Sequence, residues 1–240
     1  NVVGYALDPI SKPNFFDGLG LSKFLIRDYR ENIKDLYKLK LAIKKSNASI
    51  VFHLAAQSSV LVSYKNPLET IETNVMGTAN LLEAVKDNKK IKSVIIVTTD
   101  KVYLNLEKKI KFKENSKLGG HDIYSSSKAA ADIISESYIK SFSKRAGCNL
   151  AIVRSGNCIG GGDWTEDRII KDCVESFIKN KNLILRSPNA TRPWQHVLEP
   201  LCGYLKLAQK LFSDKKKFYT GAGNFGPNIR HNLKVKQIAK

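Results

Sequence analysis

The sequence is poor in residues that build metal centres and covalent frameworks. Its 240 residues include four cysteines and four histidines. Cys148, Cys158, Cys173 and Cys202 follow one another at gaps of 10, 15 and 29 residues, which matches no paired-ligand pattern. His53, His121, His196 and His231 show no metal spacing either. No metal is expected, and the cysteines read as reduced thiols. No run of 18 apolar residues occurs, which excludes a bilayer-spanning helix. The opening residues NVVGYALDP lack a basic segment before an apolar stretch, so a secretory signal is not expected and a cytoplasmic location is. Internal repeats and low-complexity tracts are missing as well. Acidic residues are scarce, 22 against 40 basic ones, and the formal net charge is +18.

Such a charge invites a nucleic-acid reading. The basic residues are mostly lysine and scattered. The densest groups are Lys108, Lys109, Lys111 and Lys113, then Lys215, Lys216 and Lys217. No aromatic residue interleaves them in an RNA-binding pattern, and no zinc-finger or basic-zipper spacing appears. They read as a solvated surface, and neither a nucleic-acid nor a membrane partner is expected. A 42% hydrophobic share with 9% aromatics fills a real core, which argues against disorder.

What is present is an alternation of short apolar strands and amphipathic helices. Strands are expected at Val2–Leu7, Lys23–Ile26, Ile50–Leu54, Val94–Val97 and Leu150–Val153. Ser11–Gly20 reads as a loop. Helices are expected at Ile33–Lys45, across Val75, Ala79, Leu82 and Val85, and at Tyr124–Phe142. Fully apolar strands such as VIIV suit a parallel sheet covered on both faces. The fold expected is therefore α/β, a Rossmann-like doubly wound parallel sheet, with a smaller and less regular lobe after Arg154. The division predicted is 1–154 for the sheet domain and 155–240 mainly for the lobe, with elements returning to the sheet.

Ligands of such sheets bind at the carboxyl ends of the strands. The residues that follow the apolar runs are Asp8, then Ala55-Ala56-Gln57, then Thr98-Thr99-Asp100-Lys101, then Arg154-Ser155-Gly156-Asn157. An acidic residue in the place of Asp8 bonds ribose hydroxyls in dinucleotide folds. The Gly-rich turn that should lie about 20 residues upstream has no counterpart in the seven residues before Asp8. The N-terminal strand and Gly-rich turn are accordingly expected to be missing. The only literal G-x-G-x-x-G, Gly221–Gly226, is followed by Pro227 and no helical pattern, so it is not expected to hold pyrophosphate.

Tyr124-Ser-Ser-Ser-Lys128 is the sharpest local signal. Positions i and i+4 share a helix face, so the Lys128 ammonium is expected beside the Tyr124 phenol, lowering its pKa and making it a general base. Thr99, 25 residues earlier at a strand end, completes a Thr–Tyr–Lys set.

With this set in place the chain resembles the extended short-chain dehydrogenase/reductase family, in its nucleotide-sugar 4,6-dehydratase branch. The motifs are Arg27-Asp28, His53-Leu54-Ala55-Ala56-Gln57, Thr73–Thr78 and Thr98–Lys101. Ser155–Trp164, Glu166–Arg168 and Arg192–Leu201 resemble signatures of the members that act on CDP-glucose. The resemblance implies NAD as cofactor, held by Asp8, Arg27, Asp28, Leu54, Ala55, Ala56, Gln57, Tyr124 and Lys128. It implies a nucleotide-sugar substrate, CDP-glucose, and a homodimer.

The implied reaction is an internal redox elimination. Tyr124 takes the C4 hydroxyl proton while C4 gives hydride to NAD. The ketone acidifies C5, water leaves across C5 and C6, and the hydride returns to C6. In this scheme Thr99 holds the C4 oxygen, Asp100 protonates the departing C6 hydroxyl and Lys101 takes the C5 proton. Arg168 and Arg192 suit the diphosphate, since paired guanidinium donors match phosphate oxygens, and Asn157 suits the sugar or its phosphate. Trp164 and Trp194 read as lobe core, and His196 as the partner in a core hydrogen bond. Two other readings remain open: a UDP-N-acetylglucosamine dehydratase or other nucleotide-sugar epimerase/dehydratase, and an inactive relative that binds a nucleotide or polyanion.

Overall fold

The computed structural model describes every residue except 108, 109, 147 and 240, and describes only the backbone for 143–146 and 229. Lys108 and Lys109 of the first lysine group thus lie outside the described residues.

Strand β1 (Val3–Ala6) leads through helix α1 (Phe15–Gly18) to β2 (Arg27–Arg30). Helix α2 (Leu36–Ser46) starts at Asp35, whose carboxylate accepts from the Lys38 amide at 2.9 Å. After β3 (Ile50–His53), the short helices α3 (Val60–Lys65) and α4 (Pro67–Ile71) run through a π-helical turn at Glu72–Met76 into α5 (Gly77–Val85). Then come β4 (Ser93–Val97), the long α6 (Ile123–Ala146) and β5 (Asn149–Ser155). The remainder holds β6 (Cys158–Ile159), α7 (Ile169–Ile178), β7 (Thr191–Pro193), β8 (Gln195–His196), α8 (Leu198–Ser213), β9 (Gly221–Phe225), β10 (Asn232–Lys234) and α9 (Val235–Ile238).

Strands β3, β4, β5 and β9 form one parallel ladder in the order β3-β4-β5-β9, and β1 pairs with β2 in a second parallel ladder. Among the described residues no strand pairing joins the two. Burial explains why β4 reads as apolar throughout. Val94 and Ile96 face a core shared with Leu39 of α2, Leu81, Leu82 and Val85 of α5, and Leu150 and Ile152 of β5. Ile95 faces the other way, onto Ala151, Val153 and the α8 residues Tyr204, Ala208 and Leu211. Helices on both faces of a parallel sheet make the fold α/β and Rossmann-like, as expected.

The second strand departs from expectation. The apolar LSKFLI stretch is a 3₁₀ turn at Leu21–Phe24, and the strand is the polar Arg27–Arg30. Backbone pairing holds it to β1, with Tyr29 tilted against Tyr5, and its side chains carry no apolar pattern. The loop expected over Ser11–Gly20 contains α1, capped by Asn14. The Gly221–Gly226 run is no phosphate turn: Gly221 to Phe225 pair with Ala151 to Ser155. Two small ladders, β6 with β8 and β7 with β10, brace the segment after β5.

Candidate active site

The site is built where β4 ends. Thr99, in extended conformation, caps a 3₁₀ turn over Asp100–Val102, and its hydroxyl donates to Asp100 Oδ1 at 3.1 Å. The facing helix α6 starts at Asp122, which accepts from the Ser125 amide at 2.9 Å and the Ser125 hydroxyl at 2.7 Å. That start places Tyr124 in the first turn. Tyr124 is 9% exposed, and the Thr99 side chain acts on its phenol. Lys101 lies over the same ring, its Nζ 5.7 Å from the centroid. Gly156, after β5, closes the wall: a Cβ there would sit 3.2 Å from Asp100 Oδ2 and 2.7 Å from Pro193 Cγ. The structure therefore brings Thr99, Asp100, Lys101 and Tyr124 into one cluster.

The electrostatics are those of a partly buried cluster with an excess of cations. Burial raises the Asp100 pKa, against the lowering effects of the Thr99 hydrogen bond, Lys101 and Arg192. Desolvation lowers the Lys101 pKa, Arg192 and Arg168 lower it further, and Asp100 and Asp122 oppose them. Lys101 nonetheless stays exposed to solvent overall.

Tyr124 corrects an expectation. Burial raises its phenol pKa, with Asp100 and Asp122 adding, while Thr99 and Arg168 pull it down. Lys128 is fully within the core, but its ammonium donates to Val97 O at 2.8 Å rather than to the phenol. Burial also brings the Lys128 pKa down, to about 8.

The residues predicted to hold a dinucleotide are spread along the strand ends. Lys128 fits such a ligand: an ammonium has three donors, only one is engaged by the described residues, and the two others suit a ribose diol. Leu54 is exposed beside half-buried Ala55 and Ala56. Gln57 is fixed by its amide donating to Asn74 Oδ1 at 2.8 Å and its side chain to Thr70 Oγ1 at 2.8 Å. Asp8 is exposed. Arg27 donates to the Tyr29 hydroxyl at 3.1 Å, and Asp28 is paired with Arg30 at 2.6 Å. No described hydrogen bond or ion pair connects Asp8, Arg27 or Asp28 with the Tyr124 cluster.

Of the predicted substrate residues, Arg192 acts electrostatically on Asp100 and Lys101, and Arg168 on Lys101 and Tyr124. Arg168 also donates to Ser58 Oγ at 3.0 Å and pairs with Asp163 at 3.3 Å, tying the lobe to the loop after β3. Asn157 accepts from the Gln195 amide through its backbone carbonyl, which leaves its side chain out of that bond. Trp194 is core, its indole N–H donating to Leu233 O at 3.0 Å, whereas Trp164 is 38% exposed. His196 is exposed and takes the Leu198 amide at 3.3 Å, so it serves a surface turn rather than the core.

Sequence reasoning missed the polar supports. Asn74, in the π-helical turn, donates to Gln57 O at 3.0 Å and to Ser127 Oγ at 2.9 Å, linking the loop after β3 with α6. Such turns recur at functional sites. His53 Nε2 lies 2.9 Å from Thr78 Oγ1, and burial drives its pKa down to about 3. Asp132 pairs with Arg154 at 2.6 Å. A lone acid four residues after Lys128, among alanines and isoleucines, was the available signal.

Comparisons with known proteins bear on the family and the fold. Residues 25–236 match the family model described as GDP-mannose 4,6 dehydratase. The CDP-glucose 4,6-dehydratase of Salmonella typhimurium is 46% identical over 231 residues, 94% of this chain and 64% of the relative. The dTDP-D-glucose 4,6-dehydratase of Dictyostelium discoideum is 33% identical over 73% of this chain and 42% of its own length. This chain thus spans less than two-thirds of either relative. A dTDP-glucose 4,6-dehydratase from Streptomyces venezuelae, solved with NAD bound, superposes with a TM-score of 0.79 at 22% identity, covering 98% of this chain and 69% of that one. With the family model spanning most of the sequence and the fold in agreement, the chain belongs to the GDP-mannose 4,6 dehydratase family.

Proposed function

We propose that this chain carries the catalytic core of an NAD-dependent nucleotide-sugar 4,6-dehydratase acting on CDP-glucose. The observation that carries the reading is the Thr99-Asp100-Lys101 turn lying against Tyr124. An epimerase needs a hydroxyl and a tyrosine, whereas elimination also needs an acid and a base, and both stand here on adjacent residues. The identity to the Salmonella enzyme supports CDP-glucose as the substrate.

Bound NAD would supply the hydride acceptor for C4 and the hydride donor for C6. The chain's own residues do the rest. Thr99 and Tyr124 hold the C4 oxygen, and Tyr124 takes its proton. Since burial raises the phenol pKa, the proton transfer requires positive charge to arrive with the ligands. Lys128 offers its two remaining donors to the cofactor ribose. Asp8, Arg27, Asp28 and the Leu54–Gln57 segment hold the adenosine side. Lys101 removes the C5 proton, and the raised Asp100 carboxyl supplies the proton for the leaving hydroxyl. Arg168 and Arg192 take the diphosphate, and Asn157 the sugar end. In this division residues 1–154 hold the cofactor and 155–240 mainly the sugar nucleotide.

The test is to incubate the full-length protein and NAD with CDP-, dTDP- and UDP-glucose and UDP-N-acetylglucosamine, following the 4-keto product by its absorbance in alkali. Turnover of CDP-glucose is expected. Turnover of another member of the panel in its place overturns the substrate assignment.

A further inference from the structure

The ion pair between Asp132 and Arg154 lies outside the reacting groups and is the most completely buried charge pair described: the two side chains are 0% and 1% exposed. The fork is bidentate, with Arg154 Nε to Asp132 Oδ2 at 2.8 Å and Nη2 to Oδ1 at 2.6 Å. Glu136 adds a longer contact at 3.7 Å. A pair that only stapled α6 to β5 would need nothing more, and a buried pair of that kind is often replaceable by apolar side chains.

This pair does more. Asp132 Oδ2 also accepts from the Thr98 hydroxyl at 3.1 Å, and Arg154 Nη1 donates to the Tyr103 hydroxyl at 3.0 Å. Thr98 and Tyr103 are the residues on either side of the turn that presents Thr99, Asp100 and Lys101. The guanidinium also lies 5.1 Å from the Tyr103 ring centroid, and the Tyr103 hydroxyl continues to Asn224 Oδ1 at 2.5 Å. The second bond of Nη1, to Glu114 O at 2.8 Å, brings in the returning loop. Asp132 sits on α6 two turns after Tyr124 and one after Lys128, so the carboxylate that receives Thr98 is fixed to the helix that presents the phenol.

We propose that Asp132 and Arg154 are positioning residues. Their ion pair holds both ends of the Thr99–Lys101 turn against helix α6, so that the acid, the base and the tyrosine keep one spacing. Misplacement of a reacting group by an ångström costs on the order of 100-fold in rate. Only the kinetic arm of the test rests on the dehydratase reading above.

Two variants of the full-length protein are compared with wild type. Arg154→Lys keeps the charge and loses the fork. Tyr103→Phe keeps the fork and frees the downstream end of the turn. For Arg154→Lys, kcat with CDP-glucose is expected to fall roughly 10- to 100-fold with KM within about threefold, and Tyr103→Phe to fall in the same direction by less. By hydrogen-exchange mass spectrometry the amides of residues 98–103 are expected to exchange about tenfold faster in both variants, with those of β4 unchanged. A folded variant pair with wild-type kcat and wild-type exchange in the turn overturns the proposal. Lower thermal stability with an unmoved turn and unmoved kcat does so too, since a merely structural pair predicts that result. If Arg154→Lys does not fold, Tyr103→Phe decides. If wild type turns over no nucleotide sugar, the dehydratase reading fails while the exchange measurement still decides the positioning role.

Discussion

Lys101→Arg isolates the demand that elimination places on the site. The proposed step uses Asp100 in its acid form and Lys101 as a neutral amine. At their ordinary values, 3.8 and 10.5, these pKa values lie 6.7 pH units apart, with the acid below the base. The form needed is then a minor one, populated at about 10⁻⁷ of the total on a plateau between the two values. Each pH unit is worth 1.36 kcal/mol, so that population costs about 9 kcal/mol. Burial raises Asp100 and lowers Lys101, and both directions shrink the cost. The acid limb of the pH–rate profile is therefore expected above 3.8 and the alkaline limb below 10.5, with rate lost outward on both sides. Arginine keeps the cation beside Asp100 but does not deprotonate in this range. General base catalysis is worth typically 10²–10⁴-fold, or about 3–5 kcal/mol. In D₂O the wild-type product is expected to gain one deuterium at C5, measured by mass spectrometry and NMR, and Lys101→Arg to slow that incorporation by about 10³-fold with KM little changed. Incorporation within about threefold of wild type, or a wild-type alkaline limb at or above 10.5, would refute the assignment of Lys101 as the base.

Other perturbations probe separate parts of the structure. Tyr124→Phe is expected to lower turnover at least about 100-fold while sugar-nucleotide binding, followed by calorimetry, persists. His53 has a folded pKa of about 3 against 6.5 when free. The unfolded chain takes up the proton first, so stability is lost as pH falls from 6.5 towards 3, by roughly 5 kcal/mol across the window; thermal midpoints against pH should show a shallower slope in His53→Gln. Gly120→Ala would place a Cβ 2.3 Å from Ser126 N and 2.5 Å from Ser125 C, at the start of the catalytic helix. Since that backbone is fixed by Asp122, a loss of about 1–3 kcal/mol is expected, read from denaturant midpoints.

Much of this was legible because parallel strands and helix faces leave local patterns. Val94–Val97 is buried on both faces, so its apolar run states its place in the sheet. Tyr124 and Lys128 share a helix face, so their spacing alone brings them near one wall. The failures have a common cause. Arg27–Arg30 is held by backbone pairing to β1, which no side-chain pattern reports, and the more apolar stretch before it drew the strand assignment away. The spacing of Tyr124 and Lys128 placed both residues but not the direction of the ammonium, which turns to Val97 O. Asp132 and Arg154 are 22 residues apart, and Tyr103 and Asn224 are 121 apart. Their meeting is a product of the folded topology, beyond the reach of any local window.

The positive charge that first suggested a polyanion partner has a sharper meaning at the site. Arg168 and Arg192 both depress the Lys101 pKa, and the same two residues suit a diphosphate. A bound diphosphate would neutralise them and withdraw that part of the depression just when the amine must be neutral. The remaining cause is desolvation, which is also the largest. A sugar nucleotide that fills the crevice removes more water from Lys101, so the substrate that cancels the arginines strengthens the desolvation that replaces them. An inorganic diphosphate would do only the first. It should therefore bind near Arg168 and Arg192 and raise the Lys101 pKa, whereas a full sugar nucleotide should leave it low.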